Sequence, residues 1–106
     1  MDWDLLHKRS QVAFTKFEQL PLAEKAKSGR ILLEQAVLNE EHAFFVSMSK
    51  ASPLVRGELA ANMAYYWLLL GQPENAIEAL RIGANSKDIP EIVRTQLETL
   101  LNSLDG

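Results

Sequence analysis

Cysteine is absent from the 106 residues of this chain, which excludes disulfide bonds and thiolate metal sites. A basic surplus is absent too, since 11 lysines and arginines stand against 14 acidic residues and leave a net charge of -3. That balance argues against a general nucleic-acid binder, which usually presents a basic face. We therefore expect a partner other than nucleic acid.

Long apolar runs are also missing. The longest stretch without a charge, residues 59–73, contains Asn62 and is shorter than the roughly 20 apolar residues that a membrane helix needs. The first nine residues place acids before bases and lack the basic start and apolar core of a secretory signal. We expect no membrane span and a cytoplasmic protein.

What is present suits one globular domain, because 47% of the residues are hydrophobic and 24% are charged. Apolar residues recur at three- and four-residue steps, and no segment has a convincing strand pattern. We predict a single all-α domain over residues 1–106, with antiparallel helical hairpins stacked as a short array of about six helices. The predicted helices cover residues 3–19, 22–38, 42–50, 53–70, 73–83 and 88–104, and the fifth starts at Pro73 or Glu74.

Capping residues set several of these boundaries. Asn39 resembles a helix cap, and Glu40 and Glu41 after it suit the positive end of a helix dipole. Ser52-Pro53 is a cap followed by a first helical position, and Asp88 and Glu91 have the spacing of a capping box. The last helix is expected to bury five apolar residues: Ile92, Leu97, Leu100, Leu101 and Leu104.

The most informative segment is residues 57–90. An apolar helix runs into Gly71-Gln72-Pro73-Glu74, and a second helix begins directly afterwards. This order is typical of a helical hairpin. It closely resembles a tetratricopeptide repeat, a unit of 34 residues with small and large apolar residues at fixed helix positions.

The resemblance depends on residues of both helices. The positions that match the family, or carry a related residue, are Asn62, Met63, Ala64, Trp67, Gly71, Ala76, Leu80 and Gly83. Ala60 stands where the family often has tryptophan, and Pro90 falls two residues after the usual closing proline. The resemblance implies a hairpin over residues 57–87 that is followed by a capping helix over 88–104.

The first helix of such a repeat lines a concave face that binds peptides. Carried over by position, the implied partner-binding residues are Glu58, Ala61, Asn62, Tyr65, Leu68 and Leu69. The opposite stripe, Ala60, Met63, Ala64 and Trp67, would pack against the second helix. Residues 65–70 are apolar all round, which is typical of a helix covered on more than one side.

Two alternatives remain for what covers the other side of this helix. Either the first or second helix of the chain folds over it, or a partner helix or a second copy fills it. Tyr65 favours the second alternative, because tyrosine joins apolar area to a hydrogen-bonding tip and is common at interfaces.

No catalytic constellation or phosphate-binding loop is recognisable, and we expect a protein that is not an enzyme and has no cofactor or metal. His7 and His42 lie beside charged residues at predicted helix starts and are expected to be exposed or capping. Asp2, Asp4 and His7 form only a weak metal-site pattern. A basic cluster, Lys25, Lys27 and Arg30 with Lys8 and Arg9, is expected to be a solvated face, or to meet an acidic protein segment.

The leading hypothesis is a non-catalytic adaptor or small chaperone that holds an apolar or amphipathic segment of another protein. Its specific version is a secretion chaperone, by analogy of size and helical design. The alternatives are a homo-oligomeric structural protein, such as a homodimer, and an acidic helical inhibitor or immunity-type regulator.

Overall fold

The chain folds into helices, as the periodicity predicts. A computed structural model describes residues 2–48, 51–86 and 88–105, and within these ranges it has six helices and no strand. The first helix, α1 (Trp3–Glu18), begins where the Asp2 carboxylate accepts a hydrogen bond from the backbone N of Asp4 at 3.4 Å. The all-α prediction is confirmed.

The second and third predicted helices were divided at the wrong place. A single turn, α2 (Leu22–Lys25), is followed by one long helix, α3 (Ser28–Ser47). Asn39 does not cap a helix, because its side-chain amide donates to the carbonyl oxygen of Gln35 at 2.9 Å inside α3. The predicted end at Lys50 lies outside the described residues.

The reason α3 continues is its buried face. Apolar residues on both sides of the expected break, including Val37 and Phe44, are buried against other helices. Burying such side chains stabilises a protein by roughly 1.5–3 kcal/mol each, which is more than a cap contributes. Packing therefore overrides the local cap signal at Asn39.

The next hairpin follows its local signals closely. Helix α4 (Pro53–Leu69) begins at Ser52, whose hydroxyl oxygen accepts from the backbone N of Val55 at 3.4 Å. The helix ends at Leu69 with Leu70 as its C-cap, and Gly71 follows with a φ of 75°, the left-handed conformation that glycine adopts without strain. The backbone N of Gln72 then bonds the carbonyl oxygen of Trp67 at 2.9 Å, which closes the helix end. Helix α5 (Pro73–Ala84) starts at Pro73, the first of the two predicted positions.

The last helix, α6 (Glu91–Asp105), starts later than the capping-box spacing predicts. Asp88 has a φ of 62° and belongs to the connecting loop, so it does not cap the helix. Arg94 ties the start of α6 to the end of α5, because its Nε donates to the carbonyl oxygen of Ala84 at 3.1 Å. The expected burial of Ile92 and Leu100 is also wrong, since both side chains are exposed.

The long helices pack in chain order, α1 on α3, α3 on α4, α4 on α5 and α5 on α6. Helix α4 also touches α6, and Phe14 of α1 reaches Tyr65 and Tyr66 of α4. The backbone fills a slab of 42 × 37 × 16 Å. Within the described ranges, no helix is both long enough and apolar enough to cross a membrane.

Helices α4 and α5 approach each other closely at Gly83. A β-carbon added there would lie 2.5 Å from the Cβ of Ala60, which is too close for any real contact. Both residues are buried, so neither side chain can turn toward solvent. The absence of a side chain at Gly83 sets the spacing of the hairpin.

We expect Gly83→Ala to lower the free energy of unfolding by roughly 1–3 kcal/mol, since an extra methyl group in a packed core forces the helices apart. Urea unfolding followed by helical circular dichroism measures this loss. The double variant Gly83→Ala with Ala60→Gly should lose less free energy of unfolding than the sum of the two single variants. Removing the methyl group of Ala60 makes room for the one added at position 83. Additive losses would contradict the close contact.

Candidate functional site

A buried carboxylate joins three helices beside the candidate site. Glu40 lies in the middle of α3 with a side chain that is fully buried. Its Oε1 is 2.7 Å from Nδ1 of His7 on α1, and its Oε2 accepts from the amide of Asn62 on α4 at 3.1 Å. We call His7, Glu40 and Asn62 the polar triad.

The polar triad corrects two sequence predictions. His7 is not an exposed or capping residue, because only a fifth of its side chain is exposed and its ring meets Glu40. Glu40 is not a helix-start charge, since α3 continues through it. Residues 7, 40 and 62 lie on three different helices. Their contact depends on how these helices pack, which the sequence pattern does not predict.

Burial dominates the electrostatics of the triad. It raises the pKa of Glu40 above the ordinary value of 4.5, while the hydrogen bonds and charge of His7 and the amide of Asn62 oppose that rise. The nearby charge of Glu58 adds to it. The folded state therefore holds the Glu40 proton more tightly than the unfolded chain does.

A second buried polar contact lies one turn along α1. The Ser10 hydroxyl donates to the carbonyl oxygen of Ala36 on α3 at 2.7 Å, and its side chain also bonds Tyr66 of α4. Burial raises the pKa of Tyr66, so this phenol stays neutral near neutral pH. Together with the triad, Ser10 fixes how α4 sits against α1 and α3.

An apolar groove lies along α4 beside α6. It consists of two adjoining hollows that share Ala61 and Leu100. Within the described part of the chain, Glu58 is the one charged residue on its lining. The large apolar side chains of this α4–α6 groove are Leu54, Tyr65, Leu68, Leu80, Val93, Leu97, Leu100 and Leu104.

Several of these side chains remain accessible. Tyr65 is 51% exposed, Leu68 39% and Leu100 46%. Helix α1 only flanks the groove, because the ring of Phe14 meets the ring of Tyr65 edge-on at 5.7 Å. On the other side of α4, Ala60 and Met63 are buried in the core. A separate hollow between α3, α4 and α5 lies there, with Phe45, Trp67 and Ile82 on its lining.

The six residues implied as partner-binding separate into three groups. Glu58, Ala61, Tyr65 and Leu68 line the groove. Leu69 is exposed beside it and does not line it. Asn62 is half-buried and bonded to Glu40, so its amide serves the triad.

The α6 wall of the groove was missed by the sequence argument. Leu100 was expected in the core, yet it lies on the wall opposite Tyr65 and Leu68. Helical spacing places Leu100 on the apolar face of α6. It does not decide whether the side chain is buried in the core or lies at its exposed edge. Only the angle at which α6 crosses α4 decides that point.

The metal-site pattern of Asp2, Asp4 and His7 is not assembled. Asp4 pairs with Lys8 at 3.1 Å, Asp2 caps α1, and His7 faces Glu40. Among the residues that the structure describes, no group of three histidine or acidic side chains is placed to hold a metal ion.

Comparisons with protein-family models, with curated proteins and with solved structures found no match to this chain.

The raised pKa of Glu40 leads to a pH test. Its contribution to stability is complete below pH 4.5 and is lost as the pH rises through the higher folded-state value. We expect the free energy of unfolding of the wild type to fall over that interval relative to Glu40→Gln, whose amide can bond His7 and Asn62 but never ionises. Urea titrations at successive pH values measure the difference.

Glu41→Gln is the matched control, because it removes the neighbouring acid, which is only half-buried. The difference in free energy of unfolding between Glu41→Gln and the wild type should change little over the same pH interval. If the free energies of unfolding of the wild type and Glu40→Gln changed in parallel with pH, the pKa of Glu40 would not be raised in the folded state.

Proposed function

We propose that this protein is a non-catalytic interaction module that holds an apolar or amphipathic segment of another protein in the α4–α6 groove. The observation that carries the proposal is the groove itself, in which Tyr65, Leu68 and Leu100 keep substantial exposed area side by side. Contiguous exposed apolar area of this kind is typical of interaction sites.

The hairpin supports the same reading. Gly71 makes the turn, α5 starts at Pro73, and Gly83 packs against Ala60, in the order that resembles a tetratricopeptide repeat. In that resemblance α4 is the first helix of the repeat, which is the helix that faces a bound peptide. In this molecule Tyr65 and Leu68 of α4 line the groove.

The groove also indicates the shape of its ligand. Its α4 wall extends from Leu54 to Leu68, which corresponds to about 21 Å of helix. An amphipathic helix of about four turns matches that length, with its apolar face on the groove and its polar face in water. Adaptor or small-chaperone activity, in which an apolar client segment is shielded, is the function that this geometry favours.

We expect Leu100→Glu to weaken partner binding by at least about tenfold, because a carboxylate in an apolar groove lacks a compensating partner. Random peptides of about 16 residues, selected for binding to the wild-type protein, supply the ligands. Anisotropy titrations of the selected peptides against wild type and variant give the affinities.

Ile92→Glu is the matched control, since it adds the same charge to the same helix at an exposed position that does not line the groove. It should bind like the wild type. Equal losses in both variants, or selected peptides without helical apolar spacing, would argue against the groove. Circular dichroism and light scattering confirm that each variant is folded and report any self-association.

A further inference from the structure

The α1–α3 end of the array carries a second exposed apolar surface. Leu5 and Val12 of α1 are 44% and 54% exposed, and Ile31 and Leu38 of α3 are 61% and 60% exposed. Each pair is spaced by seven residues, so each forms a stripe along its helix. We call these four residues the α1–α3 face.

Positive charge accompanies this surface. Lys8, Arg9 and Lys16 line the cleft between α1 and α3 together with Leu5 and Val12, and no carboxylate lies on that lining in the described ranges. The pair between Lys8 and Asp4 is exposed on both sides, so it holds Lys8 only weakly. Lys16 therefore lies on the same cleft as Lys8 and Arg9.

The other lysines and arginines of the predicted basic cluster lie apart from this cleft. Lys25 sits over the ring of Phe17 at 5.5 Å, and Arg30 pairs with Glu34 at 3.4 Å. Neither lines the cleft. The positive surface is therefore a combination of side chains that the sequence pattern did not identify.

Exposed apolar side chains also occur at the opposite end of the array. There Ile92 of α6 is 69% exposed, beside the exposed Thr95 and Thr99. What distinguishes the α1–α3 end is the combination of two exposed apolar stripes with three cations.

We propose that the α1–α3 face binds an amphipathic helix of a partner protein whose apolar stripe is flanked by aspartate and glutamate. The apolar side chains supply contact area, and the three cations select acidic flanks. A second copy docked by the same face would place these cations against each other, which opposes self-pairing. This surface is separate from the α4–α6 groove and does not depend on its function.

The probe is a labelled peptide of about 16 residues with leucines at helical spacing and glutamates elsewhere, and its counterpart carries lysines in place of the glutamates. Fluorescence anisotropy with the full chain should show binding of the acidic peptide alone. That binding should weaken as salt rises from about 50 to about 300 mM, because exposed charges are screened.

Two variants locate the binding. Lys16→Glu should weaken it by at least about tenfold through charge reversal at the cleft, and Val12→Glu should weaken it through the apolar stripe. Lys27→Glu, an exposed lysine outside the cleft, and Leu100→Glu, in the α4–α6 groove, should bind like the wild type. Circular dichroism checks that each variant is folded, and the exposed Lys16 position keeps the test independent of core packing.

Several results would overturn the proposal. Equal losses for Lys27→Glu and Lys16→Glu would mean general charge attraction, and equal binding of both peptides would mean attraction without charge selection. Binding to anionic lipid vesicles without binding to the acidic peptide would assign the face to a membrane surface. Self-association in light scattering that Val12→Glu abolishes would assign it to a second copy.

Discussion

The arrangement of this molecule depends on one buried carboxyl group. Glu40 is fully buried, and a buried carboxyl group is costly unless hydrogen-bonding partners reach it. His7 and Asn62 supply those partners from α1 and α4, so both helices must dock on α3 in one register. Because leaving a buried polar group without its hydrogen-bonding partner costs roughly 1–3 kcal/mol, dockings that separate Glu40 from His7 or Asn62 are disfavoured. The polar triad thereby fixes how α1 and α4 dock on α3.

Two surfaces of different chemistry follow from this docking. On one side of α4, the α4–α6 groove is apolar with Glu58 as the charged residue of its described lining. At the far end of the array, the α1–α3 face combines apolar stripes with Lys8, Arg9 and Lys16. A chain with a net charge of -3 thus carries a local cluster of three cations in the cleft between α1 and α3. The two surfaces differ in charge and share no residues.

Local signals in the sequence were reliable where the backbone itself decides the structure. Ser52-Pro53 and Gly71 with Pro73 predicted the start of α4, the turn and the start of α5, because capping and left-handed turns depend on a few adjacent residues. Asn39 and Asp88 carry similar signals and misled the prediction. At Asn39 the buried face of α3 outweighs the cap, and at Asp88 the residue itself adopts the left-handed conformation.

The amino-acid sequence by itself determined the helical class and the α4–α5 hairpin, because periodicity and turn residues act within a short segment. Four of the groove residues, Glu58, Ala61, Tyr65 and Leu68, were implied by the resemblance of α4 to the first helix of a tetratricopeptide repeat. Tertiary structure decided the pairing of His7 with Glu40, the use of Asn62 as its second partner and the place of Leu100 on the groove wall. These features join residues on different helices, and only the docking of helices brings them together. Helical periodicity shows which residues are apolar, but the crossing of two helices determines which of them are buried.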